Sequence, residues 1–127
     1  MVYADANILI RYIVNDDEVM AGRAAAAIDS GSLFVLPEVI AETVYVLTKV
    51  YGIVREDVAD TMLELLTSVS TITPAVMQNA LVYYRESSLD FVDCILASHC
   101  LNNGKRVFTF DKKLNNFIAR KEAAGEA

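Results

Sequence analysis

The sequence predicts an α/β fold, a three-layer α/β/α sandwich whose mostly parallel central sheet is covered by helices on both faces. Three observations predict it. Short apolar runs bounded by turn or capping residues alternate with longer helical patterns. The intervals between the runs are long enough for the right-handed crossovers that parallel strands require. The chain has 127 residues, 54% of them hydrophobic, enough apolar material to bury a core without disulfides or metal staples. One domain over residues 1–127 is expected, because no repeat, low-complexity linker or shift in composition divides it. The final KEAAGEA, at about residues 120–127, reads as a polar end prone to fraying.

Taken in order, residues 2–4 form the first strand, followed by helices at 7–14 and 18–29. A second strand at 33–36 leads into a helix at 37–51, with Pro37 suited to its first turn and Gly52 stopping it. A helix at 56–67 precedes a third strand at 69–72. Thr73 then reads as an N-cap and Pro74 as the first-turn proline of a helix at 74–86. The helix at 90–102, stopped by Gly104, leads to the last strand at 106–110 and a shorter helix after Asp111. Ligands of such sheets bind at the carboxyl ends of the strands. Acids stand there.

Asp5 follows the first strand in YADANIL, with Asn7 two residues on; capping of the next helix is the ordinary explanation for either. Glu42 interrupts an apolar helical face in VIAETVYVLTKVYG, a place where a charge needs a partner, a metal or solvent. Glu38, one turn earlier, sits where the helix dipole accepts an acid for ordinary reasons. Asp90 and Asp93, in SLDFVDCILASHCL, share one face at a helix N-terminus; capping competes with function more strongly for Asp90 than for Asp93. Asp111 ends the last strand in RVFTFDKKL, and Thr109 lies on the same side two residues before it. Four acids brought together repel unless cations lie between them, and Mg²⁺ or Mn²⁺ suits such an oxygen-rich site.

With these residues in place, the sequence resembles the PIN domain family, and within it the small VapC-type toxins of toxin–antitoxin pairs. The resemblance covers nearly the whole chain. It rests on Asp5-Ala-Asn7-Ile8-Leu9 after the first strand, Glu42 in a mid-chain helix, the DxxDxxxA segment from Asp90 to Ala97, and T-x-D from Thr109 to Asp111. It implies that Asp5, Glu42, Asp93 and Asp111 are metal-binding catalytic acids, with Asn7, Asp90 and Thr109 in accessory roles. It further implies metal-dependent endoribonuclease activity on RNA, neutralisation by a cognate antitoxin, and a homodimer. Arg11, Lys105, Arg106, Lys112 and Lys113 are the basic residues close in sequence to these acids, and so the candidates for phosphate contact.

Composition narrows the alternatives. Eleven Lys and Arg against 17 Asp and Glu give a net charge of −6, so no diffuse basic surface is available and nucleic-acid contact must be local. Cys94 and Cys100, six apart in one predicted helix, point in different directions and are expected to be reduced. His99, the single histidine, lacks zinc-site spacing and a nucleophile elbow, and no phosphate-binding glycine motif is present. Tyr45, Tyr51, Tyr83 and Tyr84 read as core and interface residues. No basic leader precedes the first apolar residues and no apolar run reaches the roughly 20 residues of a membrane span, so a cytoplasmic protein is expected. Two rival readings remain: a non-catalytic PIN-like binding module, and a receiver-type Mg²⁺-binding domain. The receiver wants paired acids after the first strand, where Asp5 stands alone, and Asp57 falls in a predicted helix.

Overall fold

The computed structural model describes residues 1–125. Its elements are β1 (Val2–Tyr3), α1 (Ala6–Val14), α2 (Glu18–Asp29), β2 (Leu33–Phe34), α3 (Pro37–Lys49), α4 (Arg55–Leu65), α5 (Pro74–Glu86), α6 (Phe91–Asn103) and α7 (Lys112–Ala123). Local chemistry explains most of the helix starts. Asp5 caps α1 by accepting from the Ile8 amide at 3.2 Å, and Asp17 caps α2 by accepting from Met20 at 3.0 Å. Proline opens α3 and α5, where its missing N–H costs nothing. Gly104, at φ 65°, ends α6 in the left-handed conformation that a side chain resists. Thr73 departs from its expected role: it stands at φ 49° and its hydroxyl donates to the Ile72 carbonyl at 2.7 Å, so it gives α5 no side-chain cap.

β1 and β2 pair in parallel, Val2 opposite Leu33 and Tyr3 opposite Phe34. The expected third strand is reduced to one parallel bridge between Phe34 and Ser70, in which the Val35 amide donates to the Ser70 carbonyl at 2.8 Å. The expected fourth strand, residues 106–110, joins no ladder among the described residues. Its alternation survives without a partner: Val107 and Thr109 are half-buried, whereas Phe108 and Phe110 are 89% and 90% exposed. Strand propensity measures fit to a pleated neighbour, and this segment has none. In place of a three-layer sandwich around a full sheet, the described residues form packed helices and a two-stranded parallel ladder whose β1 residues are exposed.

The core lies between the helices. α5 packs on α4 and α6, α1 on α2 and α3, and α3 also touches α4 and α6, while α7 lies on α6. Leu9, Leu47, Met62, Ala80, Leu81 and Leu114 are fully enclosed. Among the described residues the polar side chains of Thr43 and Ser98 share that interior, and both are satisfied: Thr43 donates to the Val39 carbonyl at 2.8 Å and Ser98 to that of Val76 at 2.9 Å. Cys94 and Cys100 are free thiols, as expected; burial pushes the Cys94 thiol up to about 12, which leaves it unreactive near neutral pH. Helix α7 continues to Ala123 through the stretch read as a frayed tail, and residues 126 and 127 of that tail lie outside the described residues. No described helix is long and apolar enough to cross a membrane.

Candidate active site

Parallel pairing brings the starts of α1 and α3 to one end of the ladder, because each follows the carboxyl end of its strand. Asp5 and the first turns of α3 therefore share that end. Helix α3 contacts both α1 and α6, and α6 contacts α7, so the four elements that carry Asp5, Glu42, Asp93 and Asp111 are successive neighbours.

Within this arrangement the acids fall into two groups. Asp93 is half-buried in the first turn of α6, and its carboxyl is held above the ordinary range, first by burial and then by the negative charges of Asp111 and Asp90. Lys113 opposes the effect from α7, where its ammonium donates to the Ser88 carbonyl at 3.2 Å. Asp90 occupies the N-cap position of α6 without making a side-chain cap, so its exposed carboxylate is not consumed by capping. Asp93, Asp90 and Asp111 thus form one electrostatic group. Asp5 and Glu42 are exposed, on α1's cap and on α3.

The four expected ligands do not stand as one ready-made pocket: among the described residues, no three His, Cys, Asp or Glu side chains come close enough to hold an ion. Two physical reasons are visible. Uncompensated carboxylates repel one another. Two of the four also have other work, since Asp5 caps α1, and Asp111 Oδ1 accepts from the Lys113 and Leu114 amides at 2.8 and 3.2 Å. The donor chemistry fits Mg²⁺ or Mn²⁺ nonetheless. Every candidate ligand offers hard oxygen, and the negative charges of Asp111 and Asp90 that reach the partly buried Asp93 are ones a cation would relieve.

The accessory positions behave differently from one another. Thr109 shapes the turn, its hydroxyl accepting from the Asp111 amide at 3.1 Å while its carbonyl accepts from Asn115 at 2.9 Å. Asn7 is exposed in the first turn of α1 and borders a cavity with Arg11 and Arg23. Among the basic candidates, Lys113 lies in the field of Asp93. Arg11 is committed to an ion pair with Asp16 at 2.7 Å, which raises its pKa further. Lys105 and Arg106 line a different cavity with Gly104 and Glu122, while Lys112 is exposed at the start of α7.

The sequence reading missed a groove beside Asp93. Tyr45, Lys49 and Arg55 line it, with Asp90 and Asp93 at one side. Of the tyrosines read as core and interface residues, Tyr83 and Tyr84 lie in the core, whereas Tyr45 is 62% exposed and Tyr51 is also exposed. A signal for Tyr45 was present in the spacing. Glu38, Glu42, Tyr45 and Lys49 follow at intervals of four, three and four residues, which places them on one helical face, and all four are exposed.

Against known proteins, the family model described as PIN domain matches residues 2–119. Searches of curated proteins and of solved structures return no match.

Proposed function

The chain belongs to the PIN domain family, whose members are generally metal-dependent nuclease domains, and from that premise we propose that it is an Mg²⁺- or Mn²⁺-dependent endoribonuclease and the toxin of a VapBC-type pair. The observation that carries the reading is the Asp93 carboxyl in the first turn of α6, raised first by burial and then by the charges of Asp111 and Asp90. Structural acids are normally placed where their charge is fully compensated, whereas a partly buried carboxylate beside two other acids, only partly offset by Lys113, is a functional-site signal.

Asp93 and Asp111 would hold the ion, Asp5 and Glu42 would complete its oxygen shell, and Asp90 would add negative field. A divalent ion bound there supplies a water activated for in-line attack and charge stabilisation on the leaving oxygen of a phosphodiester. The chain's own groups do the rest. Lys113 presents a cation to the phosphate beside Asp93, and its bond to Ser88 restricts where that ammonium can go. Thr109, through the Asp111 amide, fixes the backbone from which Asp111 projects. The amide of Asn7 is free to orient phosphate or water at the end of the ladder. Asp5 and Asp111 would give up their cap bonds to serve as ligands. The rival binding-module reading would be favoured by missing acids, and all of the expected ones are present.

The direct test is RNA cleavage by the purified chain in Mg²⁺ and in EDTA. Cleavage is expected in Mg²⁺ and not in EDTA, and equal cleavage in both would refute metal dependence. The toxin assignment carries its own expectation. Expressed with its neighbouring gene in the cytoplasm, the chain is expected to co-purify with a small antitoxin as a homodimer-based complex. Light scattering that finds a lone monomer would remove that part and leave the nuclease reading standing.

A further inference from the structure

Beside Asp93, between α3, the start of α4 and the start of α6, lies a groove of about 290 Å³. That volume lies just below the roughly 300–1,000 Å³ typical of ligand sites. Its floor is rigid. The Arg55 guanidinium lies 3.6 Å from the centre of the buried Tyr84 ring, and it donates to the Tyr84 carbonyl at 3.1 Å and the Leu89 carbonyl at 2.5 Å. The Tyr84 hydroxyl is itself tied to Thr48 of α3 at 2.9 Å. The rim is free by comparison: the Tyr45 ring is 62% exposed and Lys49 is exposed one turn beyond it.

Order along α3 gives the groove a direction. Glu42, Tyr45 and Lys49 run along one exposed face from acid to aromatic ring to cation. Seven residues separate Glu42 from Lys49, about 10 Å at 1.5 Å per residue. In a chain of net charge −6, a cation set beyond a bare ring and leading toward an acidic group is a local device for a polyanion.

We propose that this groove is a subsite for one nucleotide of single-stranded RNA, with the base stacked on Tyr45 and its phosphate met by Lys49, next to the carboxylates at Asp93. The inference rests on the nuclease reading and adds a positioning element that no acid supplies. Stacking on an aromatic ring accepts any base, so the subsite aligns the strand without selecting sequence. Ala41, Val44, Phe91 and Val92 give the groove an apolar part that a protein could also cover, and the charged Lys49, Asp90 and Asp93 at its border favour the nucleotide.

Fluorescence anisotropy with a labelled single-stranded RNA oligonucleotide in EDTA reads binding without cleavage, and steady-state cleavage in Mg²⁺ reads KM and kcat. Tyr45→Ala is expected to weaken binding roughly 10-fold or more and to raise KM with little change in kcat, while Tyr45→Phe behaves as the parent. Lys49→Gln is expected to lower the salt dependence of binding by about one phosphate contact. If the parent cleaves RNA and Tyr45→Ala binds it as tightly as the parent, the subsite is wrong and the nuclease reading stands. Tyr45-dependent binding without any cleavage would keep the subsite and remove the nuclease reading. A change of mass by light scattering in Tyr45→Ala, with RNA binding unaltered, would make the groove a protein interface and overturn the proposal.

Discussion

Asp93→Asn is expected to abolish Mg²⁺-dependent RNA cleavage, lowering kcat/KM by roughly 100-fold or more. The amide keeps the shape of the carboxylate but loses the charge that attracts the ion. Asp90→Asn removes a neighbouring field rather than a direct ligand, so a loss below about 10-fold is expected, and the reverse order in matched kinetics would transfer the principal role to Asp90. Stability should move the opposite way. The folded Asp93 carboxyl sits above its ordinary value, so without metal its charge opposes folding at neutral pH, and that penalty fades as pH falls through the raised value. Asp93→Asn should therefore melt higher than the parent at pH 7 in EDTA, with the advantage shrinking toward pH 4. Magnesium reverses the comparison: at about 100 times its Kd an ion stabilises the parent by about 2.7 kcal/mol, and the variant gains less. Thermal melts with and without Mg²⁺ at both pH values separate these effects. A variant that melts lower than the parent in EDTA would show that Asp93 has a stabilising partner.

Leu47→Ala is expected to cost about 2–5 kcal/mol, the usual penalty for an unfilled cavity at a leucine site with no solvent exposure. The midpoint of thermal unfolding should fall on the order of 10 °C. Leu47 lies on the core side of α3, the helix whose outer face carries Glu42 and Tyr45 and which touches α1, α4 and α6. Activity at temperatures below the melt should persist, because Leu47 holds the helix without facing the acids. Circular dichroism melts compared with cleavage rates at 20 °C check both halves. A stability loss within about 0.5 kcal/mol, typical of surface sites, would mean that the α3 core face repacks without cost.

Helix boundaries were the most legible feature of the sequence. The predicted helices at 18–29 and 74–86 coincide with α2 and α5, and those at 7–14, 37–51, 56–67 and 90–102 differ by one or two residues at their ends, as fraying and capping allow, whereas the helix after Asp111, expected to be shorter, runs 12 residues to Ala123. The punctuation that marks them, Asp5, Asp17, Pro37, Pro74 and Gly104, acts within one or two turns and needs no distant partner. Thr73 misled because a hydroxyl before a proline can bond backward to its own neighbour as readily as forward into the helix. The sheet was less legible. Residues 69–72 and 106–110 have strand-like composition, yet a strand exists through its neighbours, and one segment keeps a single bridge while the other keeps no ladder bond among the described residues.

By itself the sequence determined which side chains are available: the acids Asp5, Glu42, Asp90, Asp93 and Asp111 in family-like order, the helices that carry them, and the scarcity of positive charge. The tertiary structure decided what they meet. It coupled Asp93 to Asp90 and Asp111, engaged Asp5 and Asp111 as caps, tied Arg11 to Asp16, and left Tyr45 bare above a groove floored by Arg55 and Tyr84. The physical reason is range. Capping, turns and helical periodicity act over a few neighbouring residues and are written locally. Burial and electrostatic coupling depend on which distant segments become neighbours, and only the packed chain contains that information.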